Sequence, residues 1–216
     1  MTVQILLYVL APICAYLIAG INPAILLSRA IYHEDIREKG SGNPGFTNFK
    51  RVFGSRFAYV VFALDLLKSI LPCLLFGILF SCYLGMYQVG VAYTGVFALL
   101  GHAYPIWYRF RGGKAFLVGA GAIFLMDWRA GLIAAVVMIV FLFTLQYMSL
   151  ASIMAALSCP ISLTILGVEH PAVLACCIFS SAFIIYRHKA NINRLFHHTE
   201  SKFRLFGSKK SDTEKN

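Results

Sequence analysis

Ala115-Phe116-Leu117-Val118-Gly119-Ala120-Gly121-Ala122-Ile123-Phe124-Leu125-Met126 is an uncharged apolar run of 12 residues. Its reading decides the fold, because a spanning helix ordinarily needs about 20 residues and this run lies between others that qualify. Cutting the chain at its charges gives those others: Met1 to Ser28, Ser69 to Tyr108, Ala130 to Val168 and His170 to Tyr186. The two longest each hold two spans. They turn near Gly85-Met86-Tyr87 and near Gln146-Tyr147-Met148-Ser149, where polar or turn-permissive residues interrupt the run. Six spans result, and 115–126 is either a seventh or a short segment buried in the core.

Charge separates the two readings, since one span more or less moves every later loop to the other face. Segment 31–56 holds five cations (Arg37, Lys39, Lys50, Arg51, Arg56), segment 109–114 holds three (Arg109, Arg111, Lys114), and 187–216 holds eight. Seven spans put all three segments, 16 of the 19 Lys/Arg, on one face. Six would set eight against eight and abolish the bias. The expected architecture is therefore all-α: a polytopic membrane protein of seven transmembrane helices, N-terminus outside and C-terminus cytoplasmic. One membrane domain covers 1–206, and 207–216 form a flexible cytoplasmic tail.

Composition agrees. Of 216 residues, 59% are hydrophobic and 13% charged, with mean hydropathy +0.74, whereas soluble domains carry about 25% charged residues. The net charge of +10 could suggest nucleic acid, but no basic helix or aromatic-basic platform accompanies it. Positive inner loops and anionic phosphate or lipid ligands account for it better. The six cysteines lie in apolar runs without CxxC pairs or a histidine at ligand spacing, so no metal site is expected. The first span lacks a charged leader region and reads as uncleaved.

Three inner-face stretches carry residues that plain loops do not require. In the first, Gly40-Ser41-Gly42-Asn43-Pro44-Gly45 precedes a helix expected near Thr47, where backbone N–H groups and the helix start could hold an anion and Arg51 could grip it. The second, Phe110-Arg111-Gly112-Gly113-Lys114, offers N–H donors and an ammonium at a helix entrance, without Walker spacing. In the third, Ser149 and Ser152 stand beside a span, and far downstream His188 and Asn191 share one face if the last span continues as a helix. Asp65 and Lys68 are expected to pair at the inner edge of the second span. Taken singly, each reads as a capped or positive loop. The topology brings them together.

These stretches resemble the bacterial acyl-phosphate:glycerol-3-phosphate acyltransferases, the PlsY-type family. The likeness rests on Asp35-Ile36-Arg37, on Gly40 to Gly45 with Thr47-Asn48 before Arg51, and on Asp65 with Lys68. It continues through Gly101-His102, Pro105, Gly112-Gly113-Lys114, Ser149 to Ser152, Arg187-His188, Asn191 and Thr199-Glu200, in order from about Tyr16 to Phe203. It implies a seven-helix enzyme of the bacterial inner membrane, active at the cytoplasmic face. Such an enzyme moves a fatty acyl group from acyl phosphate to the 1-hydroxyl of glycerol 3-phosphate, without metal, cofactor or acyl carrier.

By position, the resemblance makes Ser41, Arg51, Lys114, His188 and Asn191 the catalytic set. Gly42, Asn43, Gly45, Thr47, Asn48, Gly112, Gly113, Ser149 and Ser152 would bind substrate. The Gly112 and Gly113 amides with Lys114 would stabilise the departing phosphate, Arg51 and Ser41 would bind the acceptor, and a donor phosphate oxygen would take the hydroxyl proton. His188 is the alternative base. The chain departs from the family pattern at Ala115 and Phe116 after the Gly-Gly-Lys, at Phe46, and at Gly20-Ile21-Asn22-Pro23. These departures leave open a paralogue with another acyl donor. A transporter or binding protein for a phosphorylated solute is the competing class, disfavoured because mid-span residues are apolar apart from Asn22.

Overall fold

The computed structural model describes residues 2–203, and the expected tail over 207–216 lies outside them. The described residues include ten α-helices and two short 3-10 turns. The first expected span is two helices, α1 (Thr2–Gly20) and α2 (Pro23–Tyr32). Asn22 caps the second by accepting the Ile25 N–H at 3.0 Å, and Pro23 follows at a position where its missing N–H costs nothing.

Next come the short amphipathic α3 (Phe46–Phe53), the 30-residue α4 (Ser55–Leu84) and α5 (Tyr87–Ala103). Gly85 ends α4 in the left-handed conformation at φ 68°, at the expected turn. α6 is Phe116–Met126, α7 Trp128–Leu145 and α8 Met148–Ile165, with Gln146 left-handed at the second expected turn. α9 (Pro171–Arg187) and α10 (Lys189–Phe196) are bent by 56° at His188. The last span therefore does not run on as a straight helix.

Among the described residues, five stretches are long and apolar enough to cross a bilayer, six if α9 and α10 count as one. The 11-residue α6 falls short of that length. Its start lies with the basic loops and its end at the opposite pole, where Gln88 donates to the Met126 carbonyl at 2.9 Å. In the non-helical stretch before it, Gly112 and Gly113 are bonded to the carbonyls of Ala103 and His102.

Packing follows membrane rules, with small residues where helices touch. Ala15 and Ala19 of α1 cluster with Ala98 and Leu99 of α5, while Leu7 and Ala11 meet Phe76 and Phe80 of α4. A Cβ on Gly101 would stand 2.2 Å from the Tyr16 carbonyl oxygen, so glycine permits that crossing. Large apolar side chains such as Leu71, Val136, Ile139 and Phe143 face outward, as lipid contact requires.

Candidate active site

The loop after α2 is built around Asn48. Its Oδ1 accepts the Ser41 N–H at 2.9 Å, and its Nδ2 donates to the carbonyls of Lys39 (3.0 Å) and Ile36 (3.4 Å). Gly40 takes φ 59° over it, where a Cβ would come within 2.4 Å of that same oxygen. Asn22 holds the loop from below by donating to the Pro44 carbonyl at 3.1 Å. At the loop's start Asp35 is bonded by Arg37, which, outweighing the cost of burial, holds its carboxyl well below the usual carboxylate range.

The second loop is held on both edges. Gly113 donates its N–H to the His102 carbonyl at 3.1 Å and Gly112 to that of Ala103 at 3.2 Å. On the other edge Arg187 donates to the carbonyls of Gly113 (2.9 Å) and Gly112 (3.2 Å), with its guanidinium 4.8 Å from the Tyr104 ring centre. The loop thereby carries Lys114 and the first turn of α6 to a fixed place.

The third part is the bend at His188. Lys114 Nζ donates to Asn191 Oδ1. Asn191 Nδ2 in turn donates to Glu200 Oε1, which also accepts from the Ser149 hydroxyl, both at 2.7 Å. Arg194 bonds the other oxygen of Glu200 at 2.7 Å. Burial pushes the Glu200 carboxyl up, but the bonds from Ser149, Asn191 and Arg194 outweigh it and leave it below its ordinary value. Burial lowers the Lys114 ammonium to about 8; Glu200 opposes that shift, while Arg194, Arg51 and Arg187 add to it.

His188, beyond the last residue of α9, is lowered by burial and then by Lys114 to about 4. Its Nδ1 is 2.8 Å from the Ile184 carbonyl, which can only accept. The neutral ring is therefore protonated at Nδ1 and keeps a lone pair at Nε2.

These groups enclose one cavity of about 520 Å³. Ser41, Asn43, Gly45, Thr47, Asn48, Arg51, Lys114, Ser149, Ser152, His188 and Asn191 all line it. Among the described residues, the Arg51 guanidinium and the Ser41 and Thr47 hydroxyls make no hydrogen bond or ion pair, so they are free to bind. A second cavity of about 390 Å³, almost wholly apolar, lies between α4 and α6 to α9. It shares Phe62, Phe116, Leu117 and Met138 with the first.

Several expectations need correction. The Gly112 and Gly113 amides are spent on backbone carbonyls and neither residue lines the cavity, whereas the adjoining Lys114 does. The unpaired donors are one step further on, in the opening turn of α6 at Phe116 and Leu117. Asn48 lines the cavity but turns both its N–H donors and its Oδ1 to the loop backbone, and Gly42 stays outside the lining. Ser152 returns its proton to the Met148 carbonyl at 2.8 Å. Asp65 and Lys68 pair at 2.8 Å as expected, and both are buried. The binding list drawn from sequence missed Asp65, His102, Arg194 and Glu200, all lining residues. Their signal was present: charge inside an apolar span for Asp65, and the Thr199-Glu200 pair of the resemblance.

Similarity to known proteins agrees with this geometry. The family model described as glycerol-3-phosphate acyltransferase matches residues 9–198. This chain belongs to that family. It is 36% identical over 194 residues to a glycerol-3-phosphate acyltransferase of Pseudomonas paraeruginosa, covering 90% of this chain and 98% of the relative. A relative of the same name from Bacillus cytotoxicus is 38% identical over 190 residues, covering 88% and 92%. The crystal structure of PlsY, an integral membrane glycerol 3-phosphate acyltransferase, in its glycerol 3-phosphate form superposes with TM-score 0.83 at 34% identity. That match covers 91% of this chain and 96% of PlsY. The lysophosphatidic acid form gives 0.79 at 33%, covering 91% and 95%.

Proposed function

We propose that this chain transfers a fatty acyl group from acyl phosphate to the 1-hydroxyl of glycerol 3-phosphate, producing lysophosphatidic acid and inorganic phosphate. One observation carries the reading: a cation-lined polar cavity shares walls with an apolar one, inside a helical bundle built for lipid. A small phosphorylated acceptor and a long acyl chain need that pairing.

Acyl phosphate is already activated, so positioning and charge stabilisation suffice. Arg51, with the Ser41 and Thr47 hydroxyls, binds the acceptor phosphate and leaves its 1-hydroxyl beside the acyl carbon. The glycerol oxygen bonds to that carbon and the carbon–oxygen bond to phosphate breaks. The hydroxyl proton goes to an oxygen of the departing phosphate, whose charge Lys114 and the opening amides of α6 stabilise. His188 Nε2, with its lone pair, is the alternative proton acceptor. No metal or cofactor enters.

The same reading places the protein in the bacterial inner membrane with seven crossings, N-terminus outside and the cavity cytoplasmic. Two features support it. The three basic segments meet around one cavity, and 85–89, 127–129 and 166–170 meet at the other pole. α6 starts beside the basic pole and ends at the other, which supports counting it as a crossing despite its length.

The test is phosphate release from palmitoyl phosphate by detergent-purified protein. Release should require glycerol 3-phosphate, and palmitoyl-CoA and acyl carrier protein should not replace the donor. Acylation from either of those would reassign the donor, and solute uptake into proteoliposomes without phosphate release would replace the enzyme by a transporter. Single cysteines at 114 and 188 should be labelled by impermeant reagents only from the cytoplasmic side.

A further inference from the structure

About ten residues into α4, Asp65 and Lys68 are buried inside a membrane span, where ionisable groups are expensive and mark function. Lys68 Nζ lies 2.8 Å from Asp65 Oδ1 and donates to the Ile21 carbonyl at 3.0 Å, at the break between α1 and α2. From α5, the buried His102 brings Nδ1 to 3.6 Å from the same Asp65 oxygen. Among the described residues, neither that oxygen nor Nδ1 has a well-directed hydrogen bond, and both side chains line the polar cavity.

The other ring nitrogen stands against Gly113, where a Cβ would meet Nε2 at 2.1 Å. The backbone of His102 accepts the Gly113 N–H. Lys114 follows directly. Stability does not explain the cluster, because apolar residues in place of a buried ion pair are often neutral or stabilising. Orientation does.

We propose that Asp65 and His102 form a positioning dyad for the phosphate-bearing side of the acyl donor. This rests on the acyltransferase reading and adds two residues to it. Asp65, held by Lys68, orients the Nδ1–H edge of the ring towards itself and so fixes the ring plane. The ring seats Gly113, and Gly113 places the Lys114 ammonium and the opening amides of α6. The 3.6 Å separation closes to a hydrogen bond on donor binding, as contacts loose in empty sites often do.

The experiment compares the parent with Asp65→Asn and His102→Gln in detergent, by thermal unfolding and by steady-state kinetics with palmitoyl phosphate. Both variants should fold, and kcat/KM for the donor should fall by about tenfold to a hundredfold. The KM for glycerol 3-phosphate should stay within about threefold, because only donor placement is disturbed. Inhibition by inorganic phosphate should weaken alongside donor kcat/KM. Near-parental donor kcat/KM, or equal losses for both substrates, would overturn the dyad.

If Asp65→Asn does not fold, the apolar double variant Asp65→Leu/Lys68→Met carries the same expectation and the same overturning result. A parent without turnover on palmitoyl phosphate would refute the function proposed above, not the dyad. The dyad is then read by calorimetry of inorganic phosphate: about tenfold weaker binding to His102→Gln supports it, and unchanged binding overturns it.

Discussion

Lys114 and Asn191, 77 positions apart, are joined by a hydrogen bond from the ammonium to the side-chain oxygen. Asn191 passes the connection on to Glu200, which gathers Ser149 and Arg194 as well. The loop before α6 and the bend after α9 are thus one polar unit, and Lys114 is aimed by residues from three parts of the chain.

Lys114→Met should fold and lose about a hundredfold to a thousandfold in kcat, the cost of removing one preorganised donor to a developing anion. Asn191→Ala should lose less, because the ammonium remains but is no longer aimed. Steady-state kinetics with palmitoyl phosphate checks both, and a Lys114→Met protein with parental kcat would remove the lysine from the mechanism.

The pH profile follows from two groups. Lys114 titrates at about 8 because burial, not a partner, dominates it. Its charge is present below that pH and lost as pH rises through it, so kcat/KM should decline on the alkaline side. Lys114→Arg should abolish that limb, since guanidinium stays charged. Burial and the nearby ammonium hold His188 at about 4, neutral at ordinary pH. A His188 base would therefore give an acid limb near 4. His188→Gln with most of its neutral-pH turnover would leave the proton to the phosphate.

Asn48 should prove structural. Asn48→Ala removes three hydrogen bonds that shape the 36–41 loop, at a net cost of about 1 kcal/mol each. A fall in Tm of several degrees should accompany it. Gly40→Ala should do similar harm through the positive φ and the clash with Asn48. If either variant keeps its Tm but loses acceptor affinity alone, Asn48 contacts substrate after all.

Phe46 packs on Phe62, at 5.5 Å between ring centres, and on Tyr59 and Phe203. Phe62 belongs to both cavities, so Phe46 packs against a side chain at their junction. Phe46→Ala should loosen that junction and flatten the dependence of donor kcat/KM on acyl length, where each buried methylene is worth about 0.8 kcal/mol. A panel of acyl phosphates measures this. An unchanged length profile would place the acyl chain elsewhere.

Much of this was legible before any coordinates. Cation placement predicted which loops share a face, and the structure brings 40–51, 114, 149–152 and 188–200 to one cavity. The turns at 85–87 and 146–149 fell where glycine or polar residues broke apolar runs. The sequence did not disclose how hydrogen bonds are distributed within the motifs. Gly112, Gly113 and Asn48 have the chemistry of ligand contacts, yet their donors are consumed by backbone partners from segments that only folding brings near.

The sequence by itself determined an all-helical membrane chain, its basic pole and its family, because the bilayer separates charge from hydrocarbon and that separation is written along the polymer. Tertiary structure alone decided which polar groups are free. Burial and partner geometry are properties of side chains meeting across the fold, so the fold lowers Lys114 towards neutrality, turns the chain at His188 past the end of α9 and brings His102 to 3.6 Å from Asp65.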